Sequence, residues 1–200
     1  MIILWTAASF LAGSLMFSYW IGLAKNHNLQ EYGDGNPGAI NLWKATGYTY
    51  GIAGIALDFL KGYLPMLWLH HSGDVTGFAL VFPAAAAILG HIFSPFTGWK
   101  GGKAIAVTFG VWSGLTGFAV SLAYAIILAV LLSVTRLINK GRSTSSETDA
   151  FHVVLGMLLL SIYLVLDHYS WPIVLLGVIN FILLSYSHRK ELIGVKDVNH

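Results

Sequence analysis

The chain has 200 residues, of which 56% are hydrophobic and only 10% charged, with mean hydropathy +0.70. Soluble domains carry roughly 25% charged residues, so a water-soluble globule is excluded, and the absence of cysteine removes disulfides, thiolate catalysis and thiolate metal sites. The net charge of +2 comes from basic residues too few and too scattered to form a nucleic-acid groove.

Apolar runs of about 20 residues, the length that crosses a hydrocarbon core, recur from end to end. Residues 1–200 are therefore expected to form one all-α domain, a polytopic membrane bundle of about seven transmembrane segments. The first run, Ile2 to Ala24, has no Lys or Arg ahead of it and Lys25 behind it, the reverse of a secretory signal, and reads as a retained helix. Gly, Pro and charged breakers delimit further helices near Tyr48 to Leu69, Phe78 to Phe93, Ala104 to Ser113, Phe118 to Leu137, Phe151 to Asp167 and Trp171 to Ser187. The fourth covers only about half of the roughly 30 Å core, so it is either a half-helix or a longer one extended into its loops.

The basic residues test this count. Lys25 and Lys44 fall in or beside the first connection, Lys100 and Lys103 in the third, Arg136, Lys140 and Arg142 in the fifth, and Arg189, Lys190 and Lys196 in the tail, which places 10 of 11. The second, fourth and sixth connections carry none. By the positive-inside rule the odd connections and the C-terminus are cytoplasmic and the N-terminus is outside. A break at Gly114 to Gly117 keeps the Arg136 to Arg142 cluster inside.

The first connection, at about 23 residues, exceeds the usual two to eight between packed helices. Its glycines, including Gly33, Gly35 and Gly38, allow turns that aim N–H groups inward, while Asn36 and Asn41 supply neutral hydrogen bonds and Lys44 a cation. An ordinary Gly/Asn turn before a helix is the plainer alternative. In Gly98-Trp99-Lys100-Gly101-Gly102-Lys103, two glycines and a lysine precede a helix N-terminus, a combination that favours an anion such as phosphate. The spacing is not that of a Walker A loop, and a basic turn serving topology is the alternative. Asp58 and Lys61 share a face inside the second helix, where ionisable groups are costly, and read as a supporting ion pair. His91 and His188-Arg189 sit at the cytoplasmic ends of their helices. No metal-ligand spacing occurs, and neither a metal nor a cofactor is expected.

In order, these pieces resemble the bacterial acyl-phosphate:glycerol-3-phosphate acyltransferase family, integral membrane enzymes of phospholipid synthesis. The resemblance runs through Gly13-Ser14 with Phe17 and Tyr19, the Gly33 to Lys44 loop, Leu57-Asp58 with Lys61-Gly62, and Gly90-His91-x-Phe93 through Lys103. Thr135-Arg136 and His188-Arg189 are weaker echoes. It implies acyl transfer from acyl phosphate to the 1-hydroxyl of glycerol 3-phosphate, at a multi-pass enzyme of the bacterial inner membrane whose site faces the cytoplasm. Carried over, Lys103 with Gly101 and Gly102 would neutralise one phosphate, and Lys44, His188 and Arg189 the other. Asn41 joins them as a catalytic candidate, Asn36, Gly38, Lys100 and Asn139 as binding candidates, and His91 as support. The chain departs from the family pattern at polar positions: Asp34 stands in place of Ser, Ile40 of Thr, Lys44 of Arg, Asn139 of Ser and Glu191 of Asn. A paralogue with another acceptor, or a non-catalytic transporter of a phosphate-bearing anion, is the alternative. A transporter needs access from both sides, whereas the polar motifs crowd one face.

Overall fold

The computed structural model describes residues 1–194 and, among them, is all-helical. Lys196, grouped above with the basic tail, lies outside the described residues. In chain order the helices are α1 (Ile2–Ser14), α2 (Phe17–Ala24), α3 (Ala39–Thr46), α4 (Tyr48–Ser72), α5 (Val81–Ile92), α6 (Ile105–Thr116), α7 (Ala119–Ile138), α8 (Ser146–Leu166), α9 (Trp171–Ser187) and a single turn α10 (Arg189–Leu192). Five stretches are long and apolar enough to cross a membrane: Ile2–Ala24, Tyr48–Ser72, Gly77–Thr97, Ala119–Ile138 and Ser146–Leu166. The remaining two of the seven expected segments, α6 and α9, are apolar but shorter. On α7, Leu122, Ile126, Val130 and Val134 form an exposed stripe at four-residue spacing, a surface that suits lipid and not water.

Helix α6, at 12 residues, is the half-length element its sequence suggested, and it is buried along most of its length. It is clamped against α4 through glycines. A Cβ on Gly110 would lie 2.1 Å from the Phe59 carbonyl oxygen, and one on Gly62 would lie 2.5 Å from that of Val107. The pair α1 and α5 crosses the same way, a Cβ on Gly13 reaching within 2.0 Å of the Ala87 oxygen. Without a water-driven hydrophobic effect between helices, such backbone-to-backbone approach supplies the packing. The break expected at Gly114 to Gly117 comes at Gly117 and Phe118, both left-handed (φ 56° and 70°), where α6 turns into α7.

Two features differ from the sequence expectation. The first apolar run is broken: Leu15 is extended and Met16 departs from helical geometry, separating α1 from α2. Side chains from elsewhere satisfy the carbonyls freed there, since Ser94 Oγ donates to Ser14 O at 2.7 Å and the Lys61 ammonium donates to Leu15 O. The first connection also contains a helix, α3, which buries Ala39, Asn41 and Leu42 and exposes Ile40 and Trp43. It packs on α2 and α4. The first, third and fifth connections and the tail converge at one end of the bundle, so the segments that carry the basic residues share a side.

Candidate active site

The first connection is shaped by its own polar groups. Asn28 caps the short turn Leu29–Glu31, and Gln30 Nε2 donates to the Thr97 carbonyl at 3.2 Å, tying this connection to the third. Gly33 and Gly35 take positive φ on either side of Asp34. Asn41 Nδ2 donates to Asp34 Oδ1 (2.7 Å), Tyr32 O (2.9 Å) and Asn36 O (3.0 Å). Its two amide hydrogens are thus shared among three acceptors, and the structure places Asn41 as the organiser of the loop. Asp34 Oδ1 also accepts the Asn36 N–H at 3.2 Å.

The other Asp34 oxygen meets Lys103 Nζ at 2.6 Å, and Glu191 Oε1 meets the same ammonium at 2.8 Å. Lys103 therefore joins the first connection, the glycine turn and the tail. Burial acts to lower the Lys103 pKa, but hydrogen bonds and charge from Asp34 and Glu191 outweigh it and hold the ammonium above its usual range. Burial likewise acts to raise the Asp34 carboxyl. The Lys103 hydrogen bond and charge, with the Asn36 N–H and the Asn41 amide, outweigh it and hold the group below the ordinary carboxylate range.

The glycine turn differs from the cradle of free N–H groups that its sequence suggested. Gly101 N–H donates to Ile92 O and Gly102 N–H to His91 O, both at 3.0 Å. A Cβ on Gly101 would sit 1.9 Å from the His91 oxygen, and one on Gly102 would sit 2.3 Å from His91 Nε2. These glycines are needed so that the turn can lie on α5, with the buried His91 ring beneath it. The free donors belong to the start of α6, which has no side-chain cap and whose first residues, Ala104 to Ala106, line the neighbouring cavity.

That cavity, of about 770 Å³, runs from Asp34, Asn36, Lys44 and Lys103 to Asp58, Phe59 and Phe109. A second, of about 330 Å³, is lined by the glycine turn, Lys100, Arg189, Lys190 and Glu191. Asp34, Asn36 and Lys103 line both. Gly38 and the exposed Lys44 lie on the wall of the larger one. Arg189 Nη1 donates to Tyr186 O at 2.7 Å and its guanidinium lies 3.9 Å over the Tyr186 ring, which orients it at the smaller one.

His188 is buried on the wall of the larger cavity. Its Nδ1 lies 3.0 Å from both Leu184 O and Ser187 Oγ; a carbonyl only accepts, so the tautomer that bonds Leu184 carries its proton on Nδ1 and keeps the Nε2 lone pair. Burial pulls this imidazole below its ordinary pKa. The Leu184 carbonyl opposes that shift, Lys103 adds to it, and Glu191 and Asp34 oppose it. Deeper, Asp58 Oδ1 pairs with Lys61 at 2.8 Å and its Oδ2 accepts Ser18 Oγ at 2.8 Å. The pair expected inside the second helix thus forms, and it holds α4 to both halves of the broken first span.

Asn139 is exposed at the end of α7 and lines neither cavity. Thr144, Ser146 and Asp149, which the sequence did not single out, do line the larger one. The buried pair Thr108 Oγ1 and Asn180 Oδ1 (3.3 Å) was also missed. Its signal was a lone Asn in the apolar run of α9.

The family model for glycerol-3-phosphate acyltransferase matches residues 3–196. The chain is 38% identical over 187 residues to glycerol-3-phosphate acyltransferase 1 of Thermotoga maritima, covering 92% of each chain. It is 31% identical over 184 residues to the enzyme of that name from Aquifex aeolicus, covering 92% of this chain and 90% of the relative. Among solved structures it resembles PlsY (YgiH), an integral membrane glycerol 3-phosphate acyltransferase, in its glycerol 3-phosphate form, with TM-score 0.83 and 26% identity over 96% of this chain and 90% of that one. The lysophosphatidic acid form of that enzyme gives a TM-score of 0.80, again at 26% identity and 96% of this chain, with 89% of the other covered.

Proposed function

This chain belongs to the glycerol-3-phosphate acyltransferase family, and on that premise we propose how its residues carry the reaction. The acyl group of an acyl phosphate passes directly to the 1-hydroxyl of glycerol 3-phosphate, giving lysophosphatidate and phosphate. The acyl chain lies in the larger cavity among Phe59, Phe109 and Val153, and the polar acceptor enters from the smaller one. The observation that carries this reading is that one cation, Lys103, lines both cavities at their junction.

The acceptor oxygen attacks the acyl carbon, the bond from that carbon to the phosphate oxygen breaks, and phosphate leaves with the electron pair. Lys103, Lys44 and the uncapped start of α6 stabilise the charge that gathers on the leaving phosphate. The hydroxyl proton passes to His188 Nε2, the unprotonated nitrogen of its ring. Lys100, Arg189 and Lys190 flank the acceptor phosphate. Holding both substrates at one junction supplies much of the acceleration. The basic residues of the converging connections support a site facing the cytoplasm.

Purified protein supplied with acyl phosphate and glycerol 3-phosphate should release lysophosphatidate and phosphate in equal amounts. Folded protein that yields neither, across several acyl-chain lengths, would remove the assignment.

A further inference from the structure

The contacts of Lys103 leave one carboxylate oxygen with nothing to accept. Glu191 Oε1 takes the ammonium at 2.8 Å, while Oε2 is buried and has no hydrogen-bond partner among the described residues. The Asp34 carboxylate is better satisfied, Oδ1 accepting from Asn36 and Asn41 and Oδ2 from Lys103. A buried acceptor without a donor is unfavourable, and here it lies on a residue that lines the smaller cavity. One ammonium facing two carboxylates also leaves this trio with net negative charge. A fully ionised phosphate, which Lys100, Arg189 and Lys190 on the same cavity attract, offers acceptor oxygens only and so leaves Glu191 Oε2 without a donor. A group that carries an O–H beside an anionic oxygen fits: the anionic oxygen turns to Lys103 and the O–H to Glu191 Oε2.

We propose that Glu191 is a specificity-determining residue that selects an acceptor presenting an O–H donor next to Lys103. This deepens the acyltransfer reading and rests on it. Besides the 1-hydroxyl, which gives its proton to His188 in the reaction, glycerol 3-phosphate offers such a donor in two places, the singly protonated phosphate and the 2-hydroxyl. Asn, the residue the family pattern has here, donates as well as accepts and imposes no such choice. Among the described residues, the other charged or titratable groups around Glu191 are Asp34, Lys100, Arg189 and Lys190 on the same cavity, His188 and Tyr186 just before it in the chain, and Glu147, Asp149 and His152 on α8, which packs against α10.

The test measures kcat/KM for glycerol 3-phosphate with native protein and Glu191→Gln, from about pH 5.5 to 8.5, spanning the second phosphate ionisation near pH 6. The same measurement is made with propane-1,3-diol monophosphate, which lacks the 2-hydroxyl. Taking the variant-to-native ratio cancels limbs due to other groups. If the donor is the protonated phosphate, that ratio climbs by up to about tenfold per pH unit above 6. If it is the 2-hydroxyl, the ratio is level, but the native protein loses at least about tenfold on the deoxy acceptor and the variant does not. Either result supports the proposal and names the donor. Parallel pH profiles together with equal response to the deoxy acceptor overturn it. Should the variant not fold, the native measurements decide: a level profile above pH 6.5 and indifference to the missing hydroxyl overturn it. Native protein that makes no lysophosphatidate at any pH overturns the acyltransfer reading instead, so the two failures are distinct.

Discussion

Asp34 and Lys103 are 69 positions apart in the chain and 2.6 Å apart in space, and their ion pair fastens the first polar connection to the turn that starts α6. The pair holds only while both members are charged. The Asp34 pKa is lowered from 3.8 on folding, so its contribution is complete above that unfolded value and is lost as pH falls through the lower folded one. The Lys103 pKa is raised from 10.5, so its contribution is complete below that value and is lost as pH rises through the higher folded one. The melting temperature of native protein should therefore exceed that of Asp34→Asn by a modest, constant margin from about pH 5 to 10, with the margin closing on either side. A margin that does not begin to narrow as pH falls below 3.8 would mean that the pair is not its source.

Lys103→Met keeps most of the stem and deletes the cation. Loss of a charge-assisted contact to phosphate should lower turnover roughly tenfold to a few hundredfold, on the order of 1.5 to 3 kcal/mol. Lys100→Met should matter less, because Lys100 is exposed and lines only the smaller cavity. Unchanged turnover and phosphate affinity in folded Lys103→Met would leave the glycine turn with a structural role alone.

Because burial depresses the His188 pKa from 6.5, the imidazole is neutral and able to accept a proton at pH 7. The native kcat/KM should decline as pH is lowered through a value under 6.5, where the ring becomes protonated. His188→Gln should abolish that acid limb and slow turnover roughly a hundredfold to ten-thousandfold. An intact limb in the variant would assign proton transfer to another group.

Removing one member of the Asp58–Lys61 pair strands a charge in a buried setting. Lys61→Met should cost about 3–5 kcal/mol, whereas Asp58→Asn with Lys61→Met together should cost much less than the sum of the single changes. Equilibrium unfolding in detergent reads both. Additive losses would show that the two side chains act independently.

The membrane class was legible because apolar length and the placement of basic residues are properties of composition along the chain. The short α6 was legible too, since Gly114 to Gly117 marks its end and too few residues precede it. The break at Leu15 and Met16 was not. Neither residue disfavours a helix, and the cause lies in Ser94 and Lys61, which reach the freed carbonyls from far along the chain. Helix α3 hid within a stretch whose Gly and Asn content suggests turns. Lys103 stood out by its position before a helix, but the sequence did not reveal that the N–H groups of Gly101 and Gly102 are already spent on α5. Nor did it show that Asp34 and Glu191, noticed only as departures, converge on one ammonium.

The broken first span bears on how the chain is made. Ser14 and Leu15 emerge from the ribosome long before their partners, Lys61 following 46 residues after Leu15 and Ser94 following 80 residues after Ser14. An unpaired carbonyl in hydrocarbon costs several kcal/mol, so the nascent first segment is best accommodated in the bilayer as one uninterrupted helix. Only when α4 and the third connection have been threaded can the break open and be held open. Insertion and maturation are thereby separated in time: the segment enters as an ordinary span and acquires its kink afterwards. A chain truncated before Lys61, which lacks both partners, should integrate its first span normally, yet leave Leu15 and Met16 with the slow amide exchange of an intact helix.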